Sequence, residues 1–126
     1  MRAVDTNLLV RLLVRDDAQQ VILAEKFIAK GAWVSHLVLA ETLRVLDAVY
    51  ERTPEHIALA IERLLAHAAL TLQDADAVEA ALILYRKKPA LGFSDCLVLE
   101  VARKVGHLSL GTFDRDFGKL EGTQKL

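Results

Sequence analysis

Cysteine is nearly absent from the chain: among 126 residues the only one is Cys96. A single thiol excludes an intramolecular disulfide and a zinc site built on cysteines, and it suits a reducing cytoplasm. A basic surplus is also missing, since 16 Lys and Arg stand against 17 Asp and Glu, for a formal net charge of −1. Proteins that hold nucleic acid by general electrostatics are usually basic. Any such contact here must therefore come from local basic residues, from bound cations, or from both. No apolar stretch reaches the roughly 18 residues of a membrane span. Asp5, Asn7 and Arg11 interrupt the N-terminal segment where a signal peptide needs an apolar run. Internal repeats, low-complexity tracts and Pro/Gly-rich linkers are lacking too, so residues 1–126 are expected to form one domain.

What the chain does have is apolar mass. Hydrophobic residues make up 53% and the mean hydropathy is +0.28, above an average soluble domain. Such a chain fills a core and has apolar surface left for a partner.

Short apolar runs alternate with helical periodicity. Arg2 to Val4 predicts a strand ending at Asp5, and Leu8, Leu9, Leu12 and Leu13 predict a helix over Thr6 to Val14. Asp16-Asp17 can cap a second helix, closed by Gly31. A strand is expected at Ala32–Ser35, with Trp33 in the core, and a helix over Leu37–Tyr50. Thr53-Pro54-Glu55 has the form of a helix start, for a helix running to about His67. Leu70–Gln73 is a third strand. Asp76 and Glu79 have the spacing of a capping box for a helix to about Lys87. Pro89 and Gly92 break the pattern, and Ser94 or Asp95 is expected to cap a helix ending near Gly106. His107–Leu110 is a fourth strand, Phe113–Leu120 a loop or short helix, and the last residues an edge strand. Strands alternating with helices predict an α/β fold: a three-layer α/β/α sandwich around a parallel sheet of four to five strands. In such sheets ligands sit at the C-terminal strand ends.

Five carboxylates are candidates to meet there. Asp5 follows the first strand, where capping a helix is its simplest role. Glu41 lies among Leu37, Leu39, Ala40, Leu43, Val45 and Leu46; unpaired burial of its charge is costly, and Arg44 is in reach at i,i+3 spacing. Asp95 is placed in a helix first turn, where the helix dipole favours a negative charge. Asp114 and Asp116 follow the last internal strand, pinned by Phe113 and Phe117. If these groups meet at one sheet edge they repel, and only cations keep them charged together. All-oxygen ligation suits Mg²⁺ or Mn²⁺, and a phosphate ester is the natural substrate of such a site.

Four stretches, AVDTNLLVRLL, LAETLRVL, GFSDCLVLEVARKVG and GTFDRDFGKLEG, resemble the PIN-domain ribonucleases, and within them the VapC-type toxins of toxin–antitoxin pairs. They occur in the family's order and cover nearly the whole chain. The resemblance implies a metal-dependent endoribonuclease, active with Mg²⁺ or Mn²⁺ on RNA, in which Asp5, Glu41, Asp95 and Asp114 match the acidic quartet. Asp116 matches a further acidic position, Thr6 and Asn7 the polar pair after the first aspartate, with Asn7 orienting Asp5, and Thr112 a small hydroxyl beside the pocket. It also implies a cytoplasmic homodimer blocked by a VapB-type antitoxin.

Arg11, Arg15, Arg44, Arg86, Lys87, Lys88, Arg115 and Lys119 are candidate phosphate contacts, with Arg44 and Arg115 nearest in sequence to the acids. His36, His56, His67 and His107 lack metal-type spacing, and Cys96, facing an apolar helix, is no nucleophile. A phospho-accepting receiver domain would need an acidic pair at the first strand, where only Asp5 stands. An aspartate-nucleophile phosphatase would need an acid at the place Asn7 holds. The remaining alternative is a non-catalytic PIN-fold module that binds RNA or antitoxin.

Overall fold

The computed structural model describes residues 1–126. Its elements run in the order β1 (Arg2–Ala3), α1 (Thr6–Val14), α2 (Ala18–Ile28), β2 (Ala32–Val34), α3 (His36–Ala48), α4 (Pro54–Ala66), β3 (Leu70–Leu72), α5 (Ala75–Lys87), α6 (Phe93–Lys104), β4 (Leu110–Thr112) and β5 (Thr123–Lys125). Short 3-10 turns occupy Pro89–Leu91 and Phe117–Lys119. The strands predicted from the sequence are all present, and every pairing is parallel. Their hydrogen bonds form two ladders, β1-β2-β3 and β4-β5. The chain packs as two compact units, Met1–Ala75 and Asp76–Leu126, each holding one ladder. No helix is long and apolar enough to cross a membrane.

In the first unit, β2 pairs with β1 (Ala3 opposite Trp33) and with β3 (Trp33 opposite Thr71). The two-residue period of a strand sends Ala32, Val34, Leu70 and Leu72 to the buried face. It sends Trp33 the other way, and Trp33 keeps 37% of its surface exposed, against the expectation of a core tryptophan. On a three-residue strand the small Ala32 and Val34 take both inward positions, so the central residue faces out. Helix α1 packs on both α2 and α3, and α4 packs on α3 and β3. Leu9, Leu39 and Ile61 are fully buried there, each stabilising the unit by about 1.5–3 kcal/mol.

Local rules set the helix ends. Asp5, Asp17, Ser35 and Thr53 each accept a hydrogen bond from the backbone N–H three residues on. Of the acidic pair expected to cap α2, Asp17 does so, while Asp16 takes the Arg11 guanidinium at 2.7 Å. Gly31, with φ +99°, donates to the Ile28 carbonyl and closes α2 as its position predicts.

The second unit departs from expectation at three element starts. Helix α5 begins at Ala75, so Asp76 lies inside the first turn, 3.9 Å from Lys104 Nζ, and does not cap it. Helix α6 begins at Phe93 after Gly92, whose φ of +80° suits glycine alone, so Ser94 and Asp95 fall in the first turn and no side chain caps the helix. Strand β4 starts at Leu110 rather than His107, because the His107 N–H still bonds the Ala102 carbonyl at the end of α6. Pairing begins where the Leu110 N–H reaches the Gly122 carbonyl.

Thr53 Oγ1 holds the His56 N–H at 3.2 Å on an exposed helix end with Pro54 in its first turn. Thr53→Ala is expected to destabilise the protein by about 1 kcal/mol in urea unfolding. A change indistinguishable from wild type would show that the cap contributes nothing there.

Candidate metal and phosphodiester site

In the first unit the C-terminal edge of the ladder carries Asp5 after β1, Ser35 and His36 after β2, and Gln73 after β3. Asp5 is exposed, and its Oδ1 accepts the Leu8 N–H at 3.0 Å, so it is the cap that its position allows. Its other oxygen carries no such bond. Thr6 opens α1, and Asn7 is exposed and lines a cavity of about 350 Å³ between α1 and α2 together with Leu8, Arg11 and Leu23. His36 donates its backbone N–H to Gln73 Oε1 at 2.8 Å, while its Nε2 is buried without a hydrogen-bond partner.

Glu41 stands on α3 and is gripped by Arg44 through both guanidinium edges, Nε to Oε2 at 3.1 Å and Nη2 to Oε1. The hydrogen bond from Arg44 lowers the Glu41 pKa below the usual carboxylate range, against a smaller opposing effect of burial. Glu41 is thus held in its charged form, and Arg44, a candidate phosphate contact in the sequence, is occupied. Arg11 and Arg15 are likewise engaged, with Asp16 and Glu25.

The second unit brings Asp95, Asp114 and Asp116 into one cavity of about 590 Å³, closed on other sides by Lys87, Lys88 and Lys119. Asp95 is placed by α6: Phe93 packs edge-on against Tyr85 of α5 with ring centroids 6.0 Å apart, and Cys96 and Leu97 are buried, which turns Asp95 outward. Asp114 is pinned by a compact turn. Its backbone N–H donates to Thr112 Oγ1 at 3.0 Å, and its Oδ1 accepts the Phe117 N–H at 2.7 Å. Thr112 thus holds the Asp114 backbone through its hydroxyl. Asp116 lies 3.7 Å from Lys119 Nζ, and Arg115 is exposed between the two aspartates.

Electrostatics single out Asp95. Although the residue keeps contact with solvent, partial burial raises its pKa, and the negative charge of Asp114 raises it further. Two oxygen ligands that resist sharing negative charge fit a divalent cation, which relieves the repulsion. No three His, Cys, Asp or Glu side chains are gathered closely enough to hold a metal ion by themselves. The Cys96 thiol is buried with its pKa pushed up to about 11, first by burial and then by Asp95 and Glu100, which leaves it inert.

Sequence reasoning had no signal for Glu121, which lines the same cavity, and named Lys87 and Lys88 among eight candidate phosphate contacts without setting them apart. A helix C-terminus followed by Pro89, shortly before an acidic first turn, is the pattern that marks them.

The sign of the Asp95 effect is testable. A carboxyl with a raised folded-state pKa contributes stability below its unfolded pKa and loses it as pH rises through the folded value. Asp95→Asn removes that loss. In cation-free buffer its Tm, relative to wild type, is expected to rise between pH 3 and pH 7, and the stabilisation of wild type by added Mg²⁺ or Mn²⁺ is expected to shrink. A Tm difference that stays flat with pH would show that Asp95 is an ordinary surface carboxylate.

Three comparisons bear on this geometry. No curated protein matches the sequence significantly. Among solved structures the chain is similar to the crystal structure of the Mycobacterium tuberculosis toxin VapC20, described as cleaving the sarcin-ricin loop, with 22% identity over 94% of this chain and 93% of that one and a TM-score of 0.44. Residues 2–122 match the PIN domain family, a span that takes in Asp5, Glu41, Asp95, Asp114 and Asp116 alike, and the chain therefore belongs to the PIN-domain family.

Proposed function

We propose that this PIN domain is an Mg²⁺- or Mn²⁺-dependent endoribonuclease and the toxin of a VapBC-type pair. The observation that carries the proposal is the shared cavity of Asp95 and Asp114, in which partial burial and, after it, the neighbouring charge hold the Asp95 pKa up. Such a pair is unfavourable for stability alone and makes chemical sense as a cation site. The family match runs across both compact units, which supports treating residues 1–126 as one domain.

Asp5, Glu41, Asp95 and Asp114 would hold the cation, with Asp116 supporting them. When bound, a divalent ion acidifies an attacking water and stabilises charge on the leaving oxygen of a phosphodiester. The protein's own share is position and charge. The Leu8 N–H orients Asp5 and leaves its second oxygen available. The Phe117 N–H and Thr112 do the same for Asp114. Arg44 keeps Glu41 ionised. Thr6 and Asn7 follow Asp5 directly and belong to its surroundings in this proposal. Arg115, exposed between two acids, is a phosphate contact in the same scheme.

The proposal carries partners with it: an RNA substrate, a VapB-type antitoxin, and a second copy of the chain in a cytoplasmic homodimer. Ile22 and Leu23 on α2 and Leu37 on α3 are exposed apolar residues of the kind such partners cover.

A non-catalytic module that binds RNA or antitoxin is favoured by one observation: Asp5 and Glu41 each already have a structural task, as a cap and as an ion-pair partner. Cleavage separates the two. RNA incubated with the protein is expected to be cut with Mg²⁺ or Mn²⁺ and left intact with chelator. Asp5→Asn and Asp95→Asn are expected to lower the rate by about 100-fold or more while circular dichroism shows the fold retained. A folded wild-type protein that leaves RNA uncut in both metals would establish the binding module.

A further inference from the structure

The cavity that holds Asp95, Asp114 and Asp116 has a second chemical character that the acids alone do not explain. Lys87 is the last residue of α5, and Lys88 is the residue before the 3-10 turn Pro89–Leu91. Both are exposed and both line the cavity, as does Lys119. Lys119 stands 3.7 Å from Asp116, whereas no carboxylate engages Lys87 or Lys88. Lys87 has a partial structural explanation, since a cation at a helix C-terminus is favourable. Lys88 lies beyond the helix and has none.

The charge balance gives the pair a purpose. Three lysines face four carboxylates, Glu121 included, which leaves the cavity with a formal single negative charge. A polyanion is repelled from such a surface. One divalent cation on the acids reverses the sign, and the lysines then face a strand that the cavity can admit. Lysine suits this task because its ammonium is a point charge on a long flexible stem, able to follow a backbone without reading bases.

We infer that Lys87 and Lys88 form a phosphate-binding subsite on the rim of the acidic cavity, holding the backbone of a single-stranded RNA next to the phosphodiester to be cut. The inference rests on the ribonuclease proposal and extends it. The subsite is cation-gated: the strand binds when the acids are loaded and leaves when the cation is removed. It contributes strand affinity and little sequence preference.

Steady-state cleavage of a fluorescent single-stranded oligoribonucleotide in Mg²⁺ tests it, with wild type, the double variant K87A/K88A, the charge-retaining K87R/K88R, and K30A as a control on an exposed turn remote in sequence. The double alanine variant is expected to raise KM about tenfold with kcat within twofold. It is also expected to flatten the slope of log KM against log salt by about 1.4, from two contacts of roughly 0.7 each on a single strand. The arginine variant is expected to restore both, and K30A to match wild type. A double alanine variant with unchanged KM and salt slope overturns the subsite while leaving the nuclease standing. So does one that lowers Tm and kcat together without moving the slope, which is the signature of a structural role at the end of α5. A wild type that cleaves nothing overturns the nuclease proposal and this subsite with it.

Discussion

A parallel strand must leave its ladder at the C-terminal end, and in this chain every such exit runs into a helix or a tight turn within a few residues. Asp5 stands between β1 and α1, Ser35 between β2 and α3, and Asp114 between β4 and the turn at Phe117. Each exit leaves free backbone N–H groups at the start of the next element, and an oxygen-bearing side chain is needed to meet them. Where that side chain is a carboxylate, one oxygen is held by the backbone and the other is offered outward. The same constraint that ends a strand thus also places and orients an acid.

Charge is the complementary constraint. Glu41 is kept ionised by a two-edged grip from Arg44, while Asp95 is pushed toward protonation by partial burial and by Asp114. Carboxylates with such opposed environments are not interchangeable. One is held in its charged form by Arg44, and the other has more to gain from a nearby cation. The lysines around the second-unit cavity extend this logic, since their value to an anionic strand depends on whether the acids beside them have been neutralised.

Much of this was legible in the amino-acid order. Thr53-Pro54, Gly31 and the Asp16-Asp17 pair announce helix ends because capping depends on residues within four positions of each other. The Glu41–Arg44 pair follows from helical spacing alone. The parallel pairing of β1, β2 and β3 follows from the helices set between them, whereas β4 and β5 pair in parallel across a loop with only a 3-10 turn. The misses share a cause. Trp33 was expected inside, but which face of a three-residue strand is buried depends on what packs against it. The start of α6 at Phe93 and of β4 at Leu110 depends on Gly92 adopting a positive φ and on where β5 pairs.

Sequence alone determined the fold class, the acidic residues and their order, because periodicity, capping chemistry and motif order are properties of near neighbours in the chain. Tertiary structure decided which acids share a cavity, that burial and Asp114 raise the Asp95 pKa, that Arg44 is occupied by Glu41, and that Lys87 and Lys88 line the cavity of the second-unit acids. Those outcomes turn on burial and on distances between segments far apart in sequence, and the strength of an electrostatic interaction is set by such distances and by the surrounding medium.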